Sequence, residues 1–201
     1  MGKRSNFERK PRDFYPTPAA AVLPLIPHLR GVRTFAEPCC GDGALVRHLE
    51  AHGLRCTYTG DIAIGQDALA STDYSEPDSI ITNPPYTRPL MHALIQHLQQ
   101  IAPTWLLLDL DWAATKQAIP YLTSCSDIVT IGRLRWIAET KHTGKDNYGW
   151  YRFTTIPGGL DGLLTDLAER WIARLPEEKR RLHAPRLSRK FSARPTRIGD
   201  A

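Results

Sequence analysis

Four short apolar runs, at 32–36, 54–59, 79–82 and 105–108, most constrain what this chain can fold into. Each ends in Gly, Pro, Asn or Asp, and segments of helical spacing follow at 44–52, 90–101 and 113–122. Strands alternating with helices in this way predict a parallel α/β sheet. The run 105–108 is apolar throughout, as strands buried on both faces are. Ahead of the first run, Thr17-Pro18 reads as a helix start, with a hydroxyl cap and Pro at the first helical position. The helix would cover 19–29, although Pro24 and Pro27 must bend or shorten it. After the fourth run, 127–131 and 134–137 form one bent strand or two, 148–154 is a further strand, and 160–175 is a closing helix. Beyond Pro176 no apolar periodicity survives.

A chain of 201 residues is long enough for one domain, since single cores commonly run to about 100–200 residues. No stretch approaches the roughly 18 apolar residues of a membrane span, and no apolar segment follows the N-terminal Met-Gly-Lys-Arg, which argues against a secretory signal. Cys39, Cys40, Cys56 and Cys125 form neither paired CxxC spacings nor a disulfide framework, so a reduced, cytoplasmic setting is expected. The net charge of +5 is unevenly spread. Residues 1–13 hold five basic and two acidic side chains, and 179–201 hold eight basic and one acidic. The body between them is therefore acidic. This gives a basic arm (1–13), a catalytic-sized body (14–176) and a basic tail (177–201). Basic arms release counterions from a phosphate backbone, which makes nucleic acid a candidate partner; a tail that only solvates the protein is the plainer alternative.

Glu37-Pro38-Cys39-Cys40-Gly41-Asp42-Gly43 joins an apolar run to a helical segment. Glycines there let a backbone approach a ligand, and the helix N-terminus offers free N–H groups. The spacing is not GxGxxG, because Val46 stands at the third glycine position. That disfavours a dinucleotide, and an acidic Glu37 would repel phosphate. Asp61 closes the next run, at the offset from a glycine turn where a carboxylate holds a ribose. Together these features fit an adenosine-type ligand without a diphosphate, a description that S-adenosylmethionine meets. The alternative is an ordinary tight turn with a surface Asp.

Asn83-Pro84-Pro85-Tyr86, directly after Ile80-Ile81-Thr82, is the most specific segment. Two prolines fix φ, remove donors and keep Asn83 out of the helical region. The Asn83 side-chain carbonyl and the Pro84 backbone carbonyl then become two acceptors at a strand's C-terminal end, where open α/β sheets bind ligands. Tyr86 sets a flat ring beside them, on which a base can stack for about 1–3 kcal/mol.

Asp13-Phe14-Tyr15-Pro16-Thr17-Pro18, the Glu37–Gly43 turn, Asp61 and Asn83-Pro84-Pro85-Tyr86, in this order, resemble the S-adenosylmethionine-dependent amino-methyltransferases. The small DNA adenine-N6 methyltransferases carried by phages and prophages are the nearest in pattern. The resemblance covers about residues 13–155. It implies a Rossmann-like class I methyltransferase fold: a seven-stranded, mostly parallel sheet, an antiparallel terminal hairpin and helices on both faces. It also implies that Tyr15, Pro16 and Thr17 line the methionine end of the cofactor. Glu37, Pro38, Cys39, Gly41 and Gly43 would wrap its amino-acid and ribose portions, and Asp61 would hold the ribose hydroxyls. An acidic residue near the cofactor's adenine would be Asp67, which fits better than Asp73. Asn83, Pro84, Pro85 and Tyr86 would hold the target base and carry catalysis, with no metal.

The tetrapeptide is shared with methyltransferases acting on RNA bases, cytosine N4 or glutamine side chains, and those substrates stay open here. So does a non-catalytic nucleic-acid-binding module on the same fold. The polar stretch 141–147 and the Asp109–Trp112 segment border the expected substrate side, with Asp111 read as a helix-start cap. His92 and His97, five apart, fall on different helix faces and do not suggest a metal site.

Overall fold

The computed structural model describes residues 15–137 and 144–155. The expected arm, closing helix and tail lie outside the described residues, as do 141–143 of the polar stretch. Apart from Thr155, the described residues belong to one compact unit.

The prolines decide the first element. In place of one helix over 19–29, the chain forms α1 (Ala19–Val22) and then a 3-10 turn at Ile26–His28 with Pro at its start. Thr17 does not cap α1: Pro18 occupies the cap position and no side chain bonds the open N–H groups. A helix of four residues has no stability of its own in water. Here α1 is held by burial of Ala21, Val22 and Leu25 and by the Trp150 indole, which donates to the Ala21 carbonyl at 2.7 Å.

The remaining elements follow in alternation: β1 (Thr34–Glu37), α2 (Ala44–Ala51), β2 (Arg55–Thr59), β3 (Ser79–Thr82), α3 (Arg88–Leu98) and β4 (Thr104–Asp109). Then come two short helices, α4 (Leu110–Ala113) and α5 (Ile119–Leu122), and the strands β5 (Cys125–Arg133) and β6 (Asn147–Phe153). The helix expected over 113–122 thus shrinks to α5, with Pro120 in its first turn, while α4 ends at Ala113. The capping carboxylate of α4 is Asp109, which accepts from the Trp112 N–H at 2.8 Å, and not Asp111. The two alternatives for 127–137 resolve into one strand whose register shifts twice against β6; 134–137 lie beyond it.

The sheet order is β2-β1-β3-β4-β6-β5. The first four strands are parallel, and β6 runs antiparallel to both β4 and β5. This is the Rossmann-like α/β arrangement with a terminal antiparallel hairpin. The expected seven strands are corrected to six among the described residues. Between the Ile62–Ile64 3-10 turn and β3 no strand forms. There Asp67 and Asp73 fold their side chains onto the N–H groups of Leu69 and Ser75, and the Tyr74 hydroxyl ties back to the Ala68 carbonyl at 2.7 Å. Such Asx contacts compete with ladder formation, and no β-branched run stands there to favour a strand.

Consecutive strand residues face opposite sides of the sheet, and each side has its own core. Ala36, Ile80, Leu106 and Leu108 pack with Met91, Leu94, Ile95 and Leu98 of α3. Phe35, Ile81, Trp105 and Leu107 pack with α1 and with Leu45 and Leu49 of α2. Helices therefore cover both faces, as expected. Order reverses at β1, whose successor β2 lies on one side and β3 on the other. This leaves a cleft at the carboxyl ends of β1 and β3, where such sheets bind ligands.

Candidate functional site

Glu37 is the last residue of β1 and Thr82 the last of β3, so both side chains stand at the cleft. Glu37 is 1% exposed and Thr82 fully buried. The Thr82 hydroxyl donates to the Glu37 carboxyl, and the same oxygen accepts from the Cys39 N–H at 3.0 Å. Burial outweighs these bonds and pushes the Glu37 carboxyl up to about 8, since a charge removed from water is costly. At neutral pH Glu37 is therefore largely an uncharged acid bridging the two strands. Burial also pushes the Cys39 thiol upward, with Glu37 adding to the effect. Cys39 is a packing thiol, and all four cysteines are unpaired.

The turn after Glu37 is shaped by main-chain bonds. Gly60 donates to the Glu37 carbonyl at 2.9 Å, Cys40 donates to the Gly60 carbonyl at 2.8 Å and Gly43 to the Cys40 carbonyl at 2.7 Å. Gly41 and Gly43 take φ values of +53° and +77°, a region that costs other residues about 1–2 kcal/mol. A Cβ on Gly43 would also lie 3.3 Å from the Arg47 guanidinium, which folds back to donate to the Asp42 carbonyl at 2.6 Å. Asp61, just past β2, accepts from Gly41 N–H at 2.9 Å and from Ala63 N–H at 2.7 Å. A carboxylate has about four acceptor positions, so each oxygen keeps one for a hydroxyl. Pro38 is buried in the turn.

On the other side of the cleft, Asn83 follows Thr82. Its amide nitrogen donates to the Thr17 hydroxyl at 3.2 Å, and its carbonyl accepts from the Tyr86 hydroxyl at 2.8 Å. Thr17 is 5% exposed, Pro84 is buried, and Asn83, Pro85 and Tyr86 are half-buried. Tyr86 packs against both cores at once, which places its ring across the top of the sheet. It begins an aromatic row: Tyr86 to Tyr148 at 6.0 Å, Tyr148 to Trp136 at 5.0 Å and Trp136 to Tyr15 at 6.4 Å between ring centroids. Pro16 is exposed beside Tyr15.

Two groups of expected residues thus meet at one cleft. Glu37, Cys39, Gly41 and Asp61 are bonded on the glycine side, Thr17, Asn83 and Tyr86 on the proline side, and the Glu37–Thr82 bond joins the two. Asp67 and Asp73 are exposed and occupied with their own turns. The sequence reading omitted several neighbours. Ile62 and Ile64 stand 59% and 70% exposed immediately after Asp61, and two isoleucines inside a turn were the signal available for them. Arg88, two residues past Tyr86, pairs with Asp109 at the end of β4 at 3.3 Å. Trp136 and Tyr148 meet only through the β5–β6 hairpin, which spacing does not reveal. Among the described residues no cluster of His, Cys, Asp or Glu could hold a metal ion, and no helix is long and apolar enough to cross a membrane.

No protein-family model and no curated protein matches the chain. Solved structures do. One is a protein from Listeria monocytogenes described as a class I S-adenosylmethionine-dependent methyltransferase, with 11% identity and a TM-score of 0.48 over 68% of this chain and 59% of that one. Another, from Pyrococcus horikoshii and described as an RNA methyltransferase, has 17% identity and a TM-score of 0.48 over 71% and 86% of the two chains. A dimethyladenosine transferase from Plasmodium falciparum has 14% identity and a TM-score of 0.41 over 77% and 66%. The chain spans about three fifths of the first of these. At such scores none of them bears on the chemistry of the site, which rests on its own residues.

Proposed function

We propose that the protein transfers a methyl group from S-adenosylmethionine to the exocyclic N6 amine of adenine in DNA. The observation that carries this reading is the Asn83 amide, which stands at a strand end ahead of two prolines and is bonded at both its nitrogen and its oxygen. The residues across the cleft suit the cofactor. Asp61 keeps acceptor positions for ribose hydroxyls, the positive-φ glycines let its chain lie against the backbone, and exposed Ile62 offers an apolar face to a planar ring.

Bound S-adenosylmethionine supplies an electrophilic methyl group on a positively charged sulfur. The chain's own task is to make a poor nucleophile attack. An aromatic amine has its lone pair delocalised into the ring. Asn83 Oδ1, with one lone pair taken by Tyr86, and the Pro84 carbonyl accept the two N–H bonds. The nitrogen is thereby drawn toward tetrahedral geometry and its lone pair turned out of the ring. Acceptors fixed before the reaction pay no reorganisation during it, and one such contact is worth about 10²–10³ in rate. Tyr86 stacks the base and fixes its plane, and close approach in an aligned pose supplies much of the remainder. The surplus proton on nitrogen leaves to water after transfer.

In a duplex the base must first leave the stack, at about a few kcal/mol. The basic stretches at 1–13 and 179–201 favour a phosphate backbone that would offset this cost. The unpaired thiols accord with a reducing, cytoplasmic setting. The deciding experiment offers methyl-labelled S-adenosylmethionine to DNA, RNA and protein pools and then resolves the labelled products. N6-methyladenine in DNA is expected. Label confined to cytosine, RNA or glutamine overturns the substrate, and no label in any pool overturns the activity.

A further inference from the structure

Thr17 lies 66 residues before Asn83 and on a different element. Its hydroxyl is the one expected to cap α1, yet it caps nothing. It is 5% exposed, and its recorded partner is the Asn83 amide nitrogen. The residue after it, Pro18, takes φ −73° and ψ 151°, and a residue preceding proline is itself held extended. Downstream, α1 is pinned to the sheet by the Trp150 indole bond to Ala21. The hydroxyl is thus held at a fixed place by the sheet core through α1, independently of the Asn83-Pro84-Pro85-Tyr86 turn.

A carboxamide is nearly symmetrical in shape, and only its partners determine which end carries oxygen. Thr17 and Tyr86 are both hydroxyls that can donate or accept, so it is the pair, one at each end, that fixes the plane of the amide between them. Resting on the reading of Asn83 as amine acceptor, we infer that Thr17 is a positioning residue for methyl transfer. By accepting from Asn83 Nδ2 it anchors the nitrogen end of the amide, while Oδ1 meets the Tyr86 hydroxyl and faces the substrate slot. Without it the amide rotates, and a donor can face the amine where an acceptor is required. This differs from lining the methionine end of the cofactor, and the two roles separate kinetically.

The test compares Thr17→Val, which keeps the β-branch and removes the hydroxyl, with Thr17→Ser, which restores it. For Thr17→Val, kcat for labelled methyl transfer to DNA should fall by about ten- to a hundredfold, the scale of an ångström-sized misplacement. KM for S-adenosylmethionine should stay within about twofold. Thr17→Ser should recover most of the rate. Unchanged kcat, or a loss confined to KM for S-adenosylmethionine, overturns the inference. A second measurement needs no turnover: the Asn83 side-chain N–H₂ signals in a proton–nitrogen spectrum, assigned by their absence in Asn83→Asp. Wild-type protein should show two distinct, exchange-protected protons, and Thr17→Val should lose the protection. Signals unmoved by Thr17→Val overturn the clamp whether or not any methyl is transferred. If the signals move but wild-type protein methylates no pool, the methyl-transfer reading fails, and with it the link from Thr17 to catalysis.

Discussion

On the glycine side of the cleft, contacts come from the main chain: N–H groups of Cys39, Gly41 and Ala63 meet carboxyl oxygens, and two glycines sit at positive φ. On the proline side, side chains from three places meet: Thr17 before α1, Asn83 after β3 and Tyr86 beyond the prolines. The first construction conforms to a ligand's outline. The second fixes single atoms in space. Binding and chemistry are therefore divided between them, and substitutions on each side should fail differently.

The largest effect belongs to the proline side. Asn83→Ala should lower single-turnover methyl transfer by about 10²–10³, equivalent to about 3–4 kcal/mol. The Kd for S-adenosylmethionine, measured by calorimetry, should change little. Parallel loss of both would erase the division. Next comes the seam between the sides. With its folded-state carboxyl raised to about 8 from 4.5, Glu37 binds a proton more tightly in the folded than in the unfolded chain. Its contribution is complete below about pH 4.5 and is lost as pH rises toward 8, with a slope of at most about 1.4 kcal/mol per pH unit. Urea unfolding of wild-type protein and Glu37→Gln from pH 4 to 8.5 should show their difference narrowing or reversing with pH in this sense. A difference independent of pH contradicts a protonated Glu37.

Tyr86→Ala should cost about 1–3 kcal/mol of substrate binding, read as a raised KM for DNA, whereas Tyr86→Phe retains the ring and most of that affinity. Gly43→Ala is the mildest, at about 1–2 kcal/mol of stability from its positive φ. It should act on cofactor affinity and on the urea midpoint, leaving kcat nearly intact once the cofactor is saturating. A kcat effect there would show that the glycine side also sets the chemistry.

The β3 strand was legible to the residue because Ser79–Thr82 is an apolar run stopped by Asn and two prolines. The placement of Glu37, Gly41, Asp61 and Asn83 was legible for a similar reason: each lies at a strand's end or in the turn that follows it, and open sheets gather those positions at one edge. Four features were not. The seventh strand came from the resemblance and from no run of its own, and the stretch 127–137 that offered two strands forms one. The 113–122 helix was lost over 114–118, because Pro120 can open a helix but cannot continue one from the turn before it. Thr17 was misread because a hydroxyl before proline looks like a cap in sequence, while its partner is tertiary. The Trp136–Tyr148 contact likewise depends on the β5–β6 register, which no local pattern encodes.

The hydrogen bond between Glu37 and Thr82 also bears on how these positions can change. One partner lies two residues before Cys39 and the other one residue before Asn83, and both are walled off from solvent. Exchanging either alone strands a buried polar group, so single-site scans should score both as intolerant. Contacting residues are where substitution effects stop adding. A paired replacement by two apolar side chains of matching volume can therefore succeed where each separate change fails, and libraries that vary the cleft should diversify these two codons together.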